Sequence, residues 1–231
     1  MNIVLTVAAT VVVVLTALYL MNRFVWFYRD PERVPDATGN VLISPADGQV
    51  VYIKPFTDGA VWSEKLGHRI NLPEIADFPE VASRNGWIIG MYMSPFDVHY
   101  NYVPAPGLVK SVRYTKADAN LPMVDLNEYI RIAFLRRPFD NFAAAFHLEN
   151  ERNTVLVEGP DFSYAVVEIA DKYVNKIDCF VKEGEEVSTG DKVGFIKRGS
   201  QVDLIVFSED VSFDAEFGQQ VYGGKTVLAH W

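Results

Sequence analysis

Three short segments put reactive side chains where the backbone around them is constrained. In Lys197-Arg-Gly199-Ser200-Gln-Val-Asp203, a serine follows a glycine between two strand-like runs, Val193-Gly-Phe-Ile and Val202-Asp-Leu-Ile-Val-Phe. A serine hydroxyl is adjacent in the chain to the carbonyl carbon of the preceding residue. If Gly199 allows a strained backbone, Ser200 can attack that carbonyl and convert the amide to an ester. Elimination from the ester would cut the chain and leave a pyruvoyl group on the new N-terminus. In Met93-Ser-Pro-Phe-Asp97-Val-His99-Tyr-Asn-Tyr-Val-Pro, a histidine follows a strand-like run inside a proline-framed loop. An imidazole beside Asp97 in a rigid loop suits proton transfer. In Ile43-Ser-Pro-Ala-Asp47-Gly48, Asp47 offers a carboxylate just before a strand, although Asp-Gly is also an ordinary turn signal. His68, His147 and His230 lack such a frame and read as structural or solvent-facing.

The composition narrows the chemistry further. The chain has 231 residues, 49% of them hydrophobic and 22% charged, with a net charge of −9. That is enough apolar material for a packed core, and the acidic balance argues against a nucleic-acid partner. Cys179 is the single cysteine, so an intrachain disulfide and a cysteine-rich zinc cage are excluded. No two histidines lie two, three or four residues apart, so no metal site is expected.

Charge is unevenly distributed. The first charged side chain is Arg23, and residues 3–21 are apolar apart from Thr6, Thr10 and Thr16. As a helix this stretch reaches roughly 28 Å, close to the hydrocarbon thickness of a bilayer. No Lys or Arg precedes it and no small-x-small cleavage site follows it, which argues against a signal peptide. Phe24, Trp26, Phe27 and Tyr28, with Arg23, Arg29 and Arg33, follow as interfacial anchors and place the bulk of the chain on the cytoplasmic side. Residues 1–28 are therefore expected to form a membrane-anchor helix that spans or lies in the cell membrane.

From residue 29 onward the sequence reads as a mainly β, β-rich α+β domain covering 29–231. Runs such as Gly48-Gln-Val-Val-Tyr-Ile, Gly86-Trp-Ile-Ile-Gly-Met-Tyr-Met, Thr154-Val-Leu-Val-Glu and Tyr164-Ala-Val-Val-Glu-Ile-Ala are rich in β-branched and aromatic residues. Residues 57–85 and 116–148 break the rhythm and are expected to hold short helices or lids. Within the second, residues 129–139 read either as a strand ending in a turn at Pro138 or as an arginine-bearing surface for lipid headgroups. Near the C-terminus Gly184-x-x-Val187-x-x-Gly190-x-x-Val193 recurs as Gly218-x-x-Val221-x-x-Gly224-x-x-Val227. Each unit reads as turn, short strand and turn, with the valines inward. This pattern resembles the barrel-sandwich hybrid domains of biotinyl and lipoyl carriers, but it lacks their modifiable hairpin lysine.

Taken in order along the chain, these segments resemble the phosphatidylserine decarboxylase family in its short form. The resemblance runs through Phe27-Tyr-Arg-Asp-Pro31, Ser44-Pro-Ala-Asp47-Gly, Met93-Ser-Pro-Phe-Asp-Val-His99, Glu149-Asn-Glu-Arg-Asn153 and Gly194-Phe-Ile-Lys-Arg-Gly199-Ser200-Gln-Val-Asp203. The archaetidylserine decarboxylases look much the same. The resemblance implies autocatalytic cleavage between Gly199 and Ser200, giving chains 1–199 and 200–231, with a covalent pyruvoyl cofactor derived from Ser200. That group would accept the electrons released by loss of CO2 from an amino-phospholipid such as phosphatidylserine. Ser200, His99 and Asp47 are the catalytic candidates, with Asp47 and His99 handling protons in processing and His99 protonating the product. The two chains would stay together non-covalently, and the strands on either side of the cut are expected to be neighbours. Tyr102 stands where the long form has a second histidine, so either His99 serves both steps or another group replaces it. Arg198 stands where the short form usually has Phe.

Two other classes fit parts of the pattern. A membrane-tethered barrel-sandwich binding module would remain one uncut chain. A serine hydrolase built on Ser200, His99 and Asp47 would need the Gly-x-Ser-x-Gly elbow, which Ser200 lacks.

Overall fold

The computed structural model describes residues 2–63, 68–117, 119–142, 144–172, 177–197 and 200–231. Its centre is a curled eight-stranded antiparallel sheet. In spatial order the strands are Glu186–Val187, Gly107–Thr115, Arg152–Glu158, Ser163–Ala170, Ser200–Val206, Gly86–Met93, Gly48–Phe56 and Gln220–Val221. The β-branched and aromatic runs seen in the sequence are the long members of this sheet.

Strand alternation sends side chains to two separate cores. On one face Ile89, Met91, Val155, Val166, Val202 and Leu204 pack with Leu42, Ile177, Val193, Ile196 and Leu228. Those partners come from two three-stranded sheets. One joins Val41–Ile43, Val227–His230 and Ser212–Phe213; the other joins Ile177–Cys179, Lys192–Ile196 and Tyr100–Tyr102. On the opposite face Tyr52, Ile88, Tyr92, Val167 and Ile205 pack under Leu72, Ile75, Phe142 and Phe146. The domain is thus mostly strand, with a sandwich built largely from C-terminal segments.

The C-terminal repeat has a definite job. Gly184 and Gly218 adopt φ of +82° and +86°, turning the chain into two-residue strands whose Val187 and Val221 are buried. These two short strands lie at opposite edges of the eight-stranded sheet. Very short edge strands limit the unpaired backbone offered to other chains.

Two expectations change. Residues 126–133 form a helix rather than a strand, because Asp125 and Glu128 make a reciprocal capping box at its start. Its apolar and polar positions then follow helical spacing, with Ile132 buried and Leu126 exposed. The strands flanking the predicted cut are not neighbours: Lys192–Ile196 pairs within a small sheet, whereas Ser200–Val206 pairs with Gly86–Met93 and Ser163–Ala170. Residues 57–85 contain a hairpin of Ala60–Ser63 with His68–Asn71 and a short helix, Leu72–Ala76, covering the second core.

The apolar segment is helical over Ile3–Met21 and continues as a wider turn through Trp26. None of its residues is buried, and Ile3–Trp26 is long and apolar enough to cross a membrane.

Candidate active site

Ser200 opens the strand Ser200–Val206, held between Met93 and Ala170 of its two neighbours. It is fully buried, and its hydroxyl donates to the Met93 sulfur at 3.1 Å. Asn101 approaches the same sulfur at 3.8 Å. Among the described residues, the hydroxyl therefore sits in a soft, weakly polar setting, with no hydrogen bond to a charged group. Gly199 and Arg198 lie outside the described residues.

His99 follows a turn tied by Asp97, whose carboxylate accepts from the Ser94 amide at 2.8 Å and the Ser94 hydroxyl at 2.7 Å. The His99 ring is fully buried, and its Nδ1 lies 3.0 Å from the Asp97 carbonyl. A carbonyl only accepts, so Nδ1 carries the proton and Nε2 presents a lone pair. Among the described residues Nε2 has no hydrogen-bond partner. Burial, with a smaller contribution from nearby Arg29, pushes the imidazole pKa down to about 3, against the opposing pull of the Asp97 carbonyl. His99 is thus a neutral base near pH 7, not a group titrating in the middle of the physiological range.

Two residues read in the sequence as interfacial anchors and as part of the Phe27–Pro31 motif build this turn. Phe27 is buried and packs on the His99 ring, centroids 4.1 Å apart. Arg29 donates to the carbonyls of Trp26, Phe96 and Asp97 at 2.9, 2.6 and 3.3 Å. The end of the apolar helix is thereby stapled to the histidine loop.

Asp47 accepts two hydrogen bonds from Arg33, at 3.0 and 2.9 Å, one from the Gly223 amide at 2.8 Å and one from the Val98 amide at 3.2 Å. Neither the Ser200 hydroxyl nor the His99 ring is among its partners. Burial raises its pKa, and Arg33 chiefly opposes the rise. Tyr102 packs over Gly223 and Gly224 nearby and donates its amide to the Pro45 carbonyl. Burial lifts its phenol to about 12, so it keeps its proton and is no general base at neutral pH.

Glu168 is a buried acid that the sequence did not single out. It pairs with Val202 while Ala170 pairs with Ser200, so strand alternation puts its side chain on the same sheet face as Ser200. Diagonal neighbours of this kind are roughly 7–8 Å apart. Its carboxyl accepts from Asn153 at 2.8 Å, and burial raises its pKa to about 8. A carboxyl that stays protonated at neutral pH can donate a hydrogen bond, as a carboxylate cannot. The only hint in the sequence was an acidic residue at an inward position of a strand.

A cavity of about 950 Å³ opens between the apolar helix and the domain. Leu18, Tyr19 and Phe27 wall it on the helix side, and Tyr92, Phe96 and Leu126 on the domain side. Arg23 and Lys172, together with Asp125 and Asp171, add charges of both signs to this mostly apolar lining. Phe27 and Tyr92 connect the cavity to the His99 ring and to the strand beside Ser200. Among the described residues, no group of three or more His, Cys, Asp or Glu is arranged to hold a metal ion.

A sequence model described as phosphatidylserine decarboxylase matches residues 20–229. The chain belongs to the phosphatidylserine decarboxylase family. It is 34% identical to a Methanocaldococcus jannaschii protein provisionally named an archaetidylserine decarboxylase proenzyme, over 89% of this chain and 88% of that one. It is 31% identical to a phosphatidylserine decarboxylase proenzyme of Granulibacter bethesdensis, over 95% of this chain and 80% of that one. A phosphatidylserine decarboxylase proenzyme of Chlorobium luteolum is 27% identical, over 95% and 84% respectively.

Two predictions come from the electrostatics of this family member's site. Arg33→Ala leaves the Asp47 carboxylate buried without its cation. It should cost about 3–5 kcal/mol in urea unfolding, and adding Asp47→Asn should recover part of that loss. Additive costs for the two changes would show that the pair does not interact. Glu168 binds its proton more tightly when folded, so its contribution is full below about pH 4.5 and is lost as pH rises to about 8. Glu168→Gln should flatten the fall in Tm between pH 5 and 9; an unchanged slope would show that the carboxyl is not held protonated.

Proposed function

We propose that this chain is the precursor of a pyruvoyl-dependent decarboxylase of an amino-phospholipid, converting phosphatidylserine to phosphatidylethanolamine. The reading is carried by one observation: family membership across residues 20–229, which includes Ser200, buried at the head of a central strand. In processing, the Ser200 hydroxyl adds to the Gly199 carbonyl carbon and the amide nitrogen of residue 200 departs, leaving an ester. Elimination then breaks the Cβ–Oγ bond of residue 200 and releases Gly199 as a carboxylate. Hydrolysis of the resulting enamine expels ammonia and leaves the pyruvoyl group.

The surroundings of Ser200 fit that group. It is no larger than the serine it replaces, and among the described residues no charged side chain hydrogen-bonds to the Ser200 hydroxyl. Once formed, it supplies an electron-withdrawing carbonyl that accepts the electron pair freed when CO2 leaves.

The remaining roles fall to the chain's own residues. His99 is assigned to take the Ser200 proton during processing and to return a proton to the product carbon, through an Nε2 that has no hydrogen-bond partner among the described residues. Asp47 acts as a positioning residue, holding the His99 loop through Val98 and the 200–231 segment through Gly223. Glu168 is a candidate for the group that replaces the long form's second histidine, whose position Tyr102 occupies. The helix of residues 1–28 holds domain 29–231 at the membrane, and Arg23, Arg29 and Arg33 favour the cytoplasmic side. The cavity beneath that helix offers an apolar wall for lipid chains, and Arg23 in its lining offers a charge complementary to a phosphodiester.

A second substrate has specific support, because a 34% identical relative carries the archaetidylserine name. Release of CO2 from vesicles of each lipid would separate the two. Ser200→Ala should remain a single chain on a denaturing gel and release no CO2 from phosphatidylserine vesicles. Two fragments from that variant would refute the processing assignment. His99→Ala should slow decarboxylation by roughly 10²–10⁴; normal maturation and turnover would remove His99 from the mechanism.

A further inference from the structure

The strand that begins at Ser200 carries a second set of polar side chains on its other face. Gln201 and Asp203 alternate with Ser200 and Val202, so they point into the second core. There Tyr52 donates to Asp203 at 2.5 Å, and Gln201 donates to the Tyr52 oxygen at 2.8 Å. His147 Nε2 lies 3.0 Å from both Tyr52 and Gln201, and 3.4 Å from Asp203. Asn141 donates to the Gln201 carbonyl oxygen at 2.6 Å, which fixes the orientation of that amide. All five residues are buried. Gly90 leaves the space for the Tyr52 ring; a Cβ there would stand 2.3 Å from it.

Nothing in the chemistry assigned to Ser200 and His99 uses this cluster, and an apolar layer of the same shape would be as stable or more so. What the cluster does is join two parts of the chain. Tyr52, Asn141 and His147 precede residue 199, whereas Gln201 and Asp203 follow it. We propose that the cluster is a register clamp that fixes the first residues of the 200–231 fragment once the preceding bond is cut; this rests on cleavage at Gly199–Ser200.

The physical need is specific. Before cleavage the strand is tethered at both ends; afterwards its leading end is free. Alternation forbids a slip of one residue, since that would turn the apolar face outward. A slip of two residues keeps every side chain on its own face, and Val202, Leu204 and Val206 are similar enough to exchange places. Such a slip would carry residue 200 about 7 Å from its site. It would also put Ile205 in the place of Asp203 and Asp203 in the place of Gln201, so that Tyr52, His147 and Asn141 would all lose their present partners. Gln201 and Asp203 thus make the native register unique.

The test is the double variant His147→Phe with Asp203→Leu in the full chain, alongside the milder Tyr52→Phe. Intact mass reports cleavage, thermal melting reports stability, and vesicle assays report kcat and KM. The double variant should cleave fully and keep its Tm within a few degrees, while kcat falls at least tenfold with KM within twofold; Tyr52→Phe should show a smaller loss of the same kind. Full cleavage with wild-type kcat in both variants would overturn the clamp. So would failure of Tyr52→Phe to cleave, which would put the cluster's role before the cut. A wild-type chain that never cleaves would instead overturn the parent reading.

Discussion

The arrangement of the site depends on one buried carboxylate. Asp47 gathers a guanidinium from Arg33 and two backbone amides, Val98 and Gly223, into a single knot. Removing a carboxylate from water costs several kcal/mol, and only a full set of partners offsets it. The three partners come from distant parts of the chain. Arg33 follows the apolar helix, Val98 adjoins His99, and Gly223 lies in the segment after Ser200. One interaction therefore positions the membrane end, the proposed base and the C-terminal segment together. A second tie reinforces it, because Gln220 donates to Asp97 at 3.2 Å.

The eight-stranded sheet makes a cut inside this domain tolerable. Ser200–Val206 is flanked by Gly86–Met93 and Ser163–Ala170, and both are upstream of the proposed cut. The last strands, Gln220–Val221 and Val227–His230, also pair with upstream segments, Gly48–Phe56 and Val41–Ile43. The 200–231 piece is too short to fold alone. Three of its strands, Ser200–Val206, Gln220–Val221 and Val227–His230, pair with the larger piece, so breaking one peptide bond leaves that pairing in place. The two sheet faces divide the work: one surrounds Ser200 with Met93, Asn101 and Glu168, and the other holds the strand's register through Gln201 and Asp203.

Much of this was legible in the sequence because it rests on local chemistry. Alternation and β-branched content marked the long strands, and the glycine repeat marked the two edge strands. Proline framing marked the His99 loop, and the uncharged run marked the apolar helix. What stayed hidden depends on long-range packing. The capping box before residues 126–133 was present as Asp125 and Glu128, but nearby arginines and aromatics also suited a strand. Phe27 and Arg33 have the composition of interfacial anchors, and only the fold brings them to His99 and Asp47. His147 looked bland because its partners, Tyr52 and Asp203, are far away in sequence. Strands on either side of the proposed cut seemed neighbours because they are close in sequence, yet they belong to different sheets.

The measurement that tests the central claim most directly is the intact mass of the purified wild-type chain. The account predicts two species, residues 1–199 and residues 200–231, the second with an N-terminus blocked as pyruvoyl. A single unmodified chain of 26.0 kDa would contradict it.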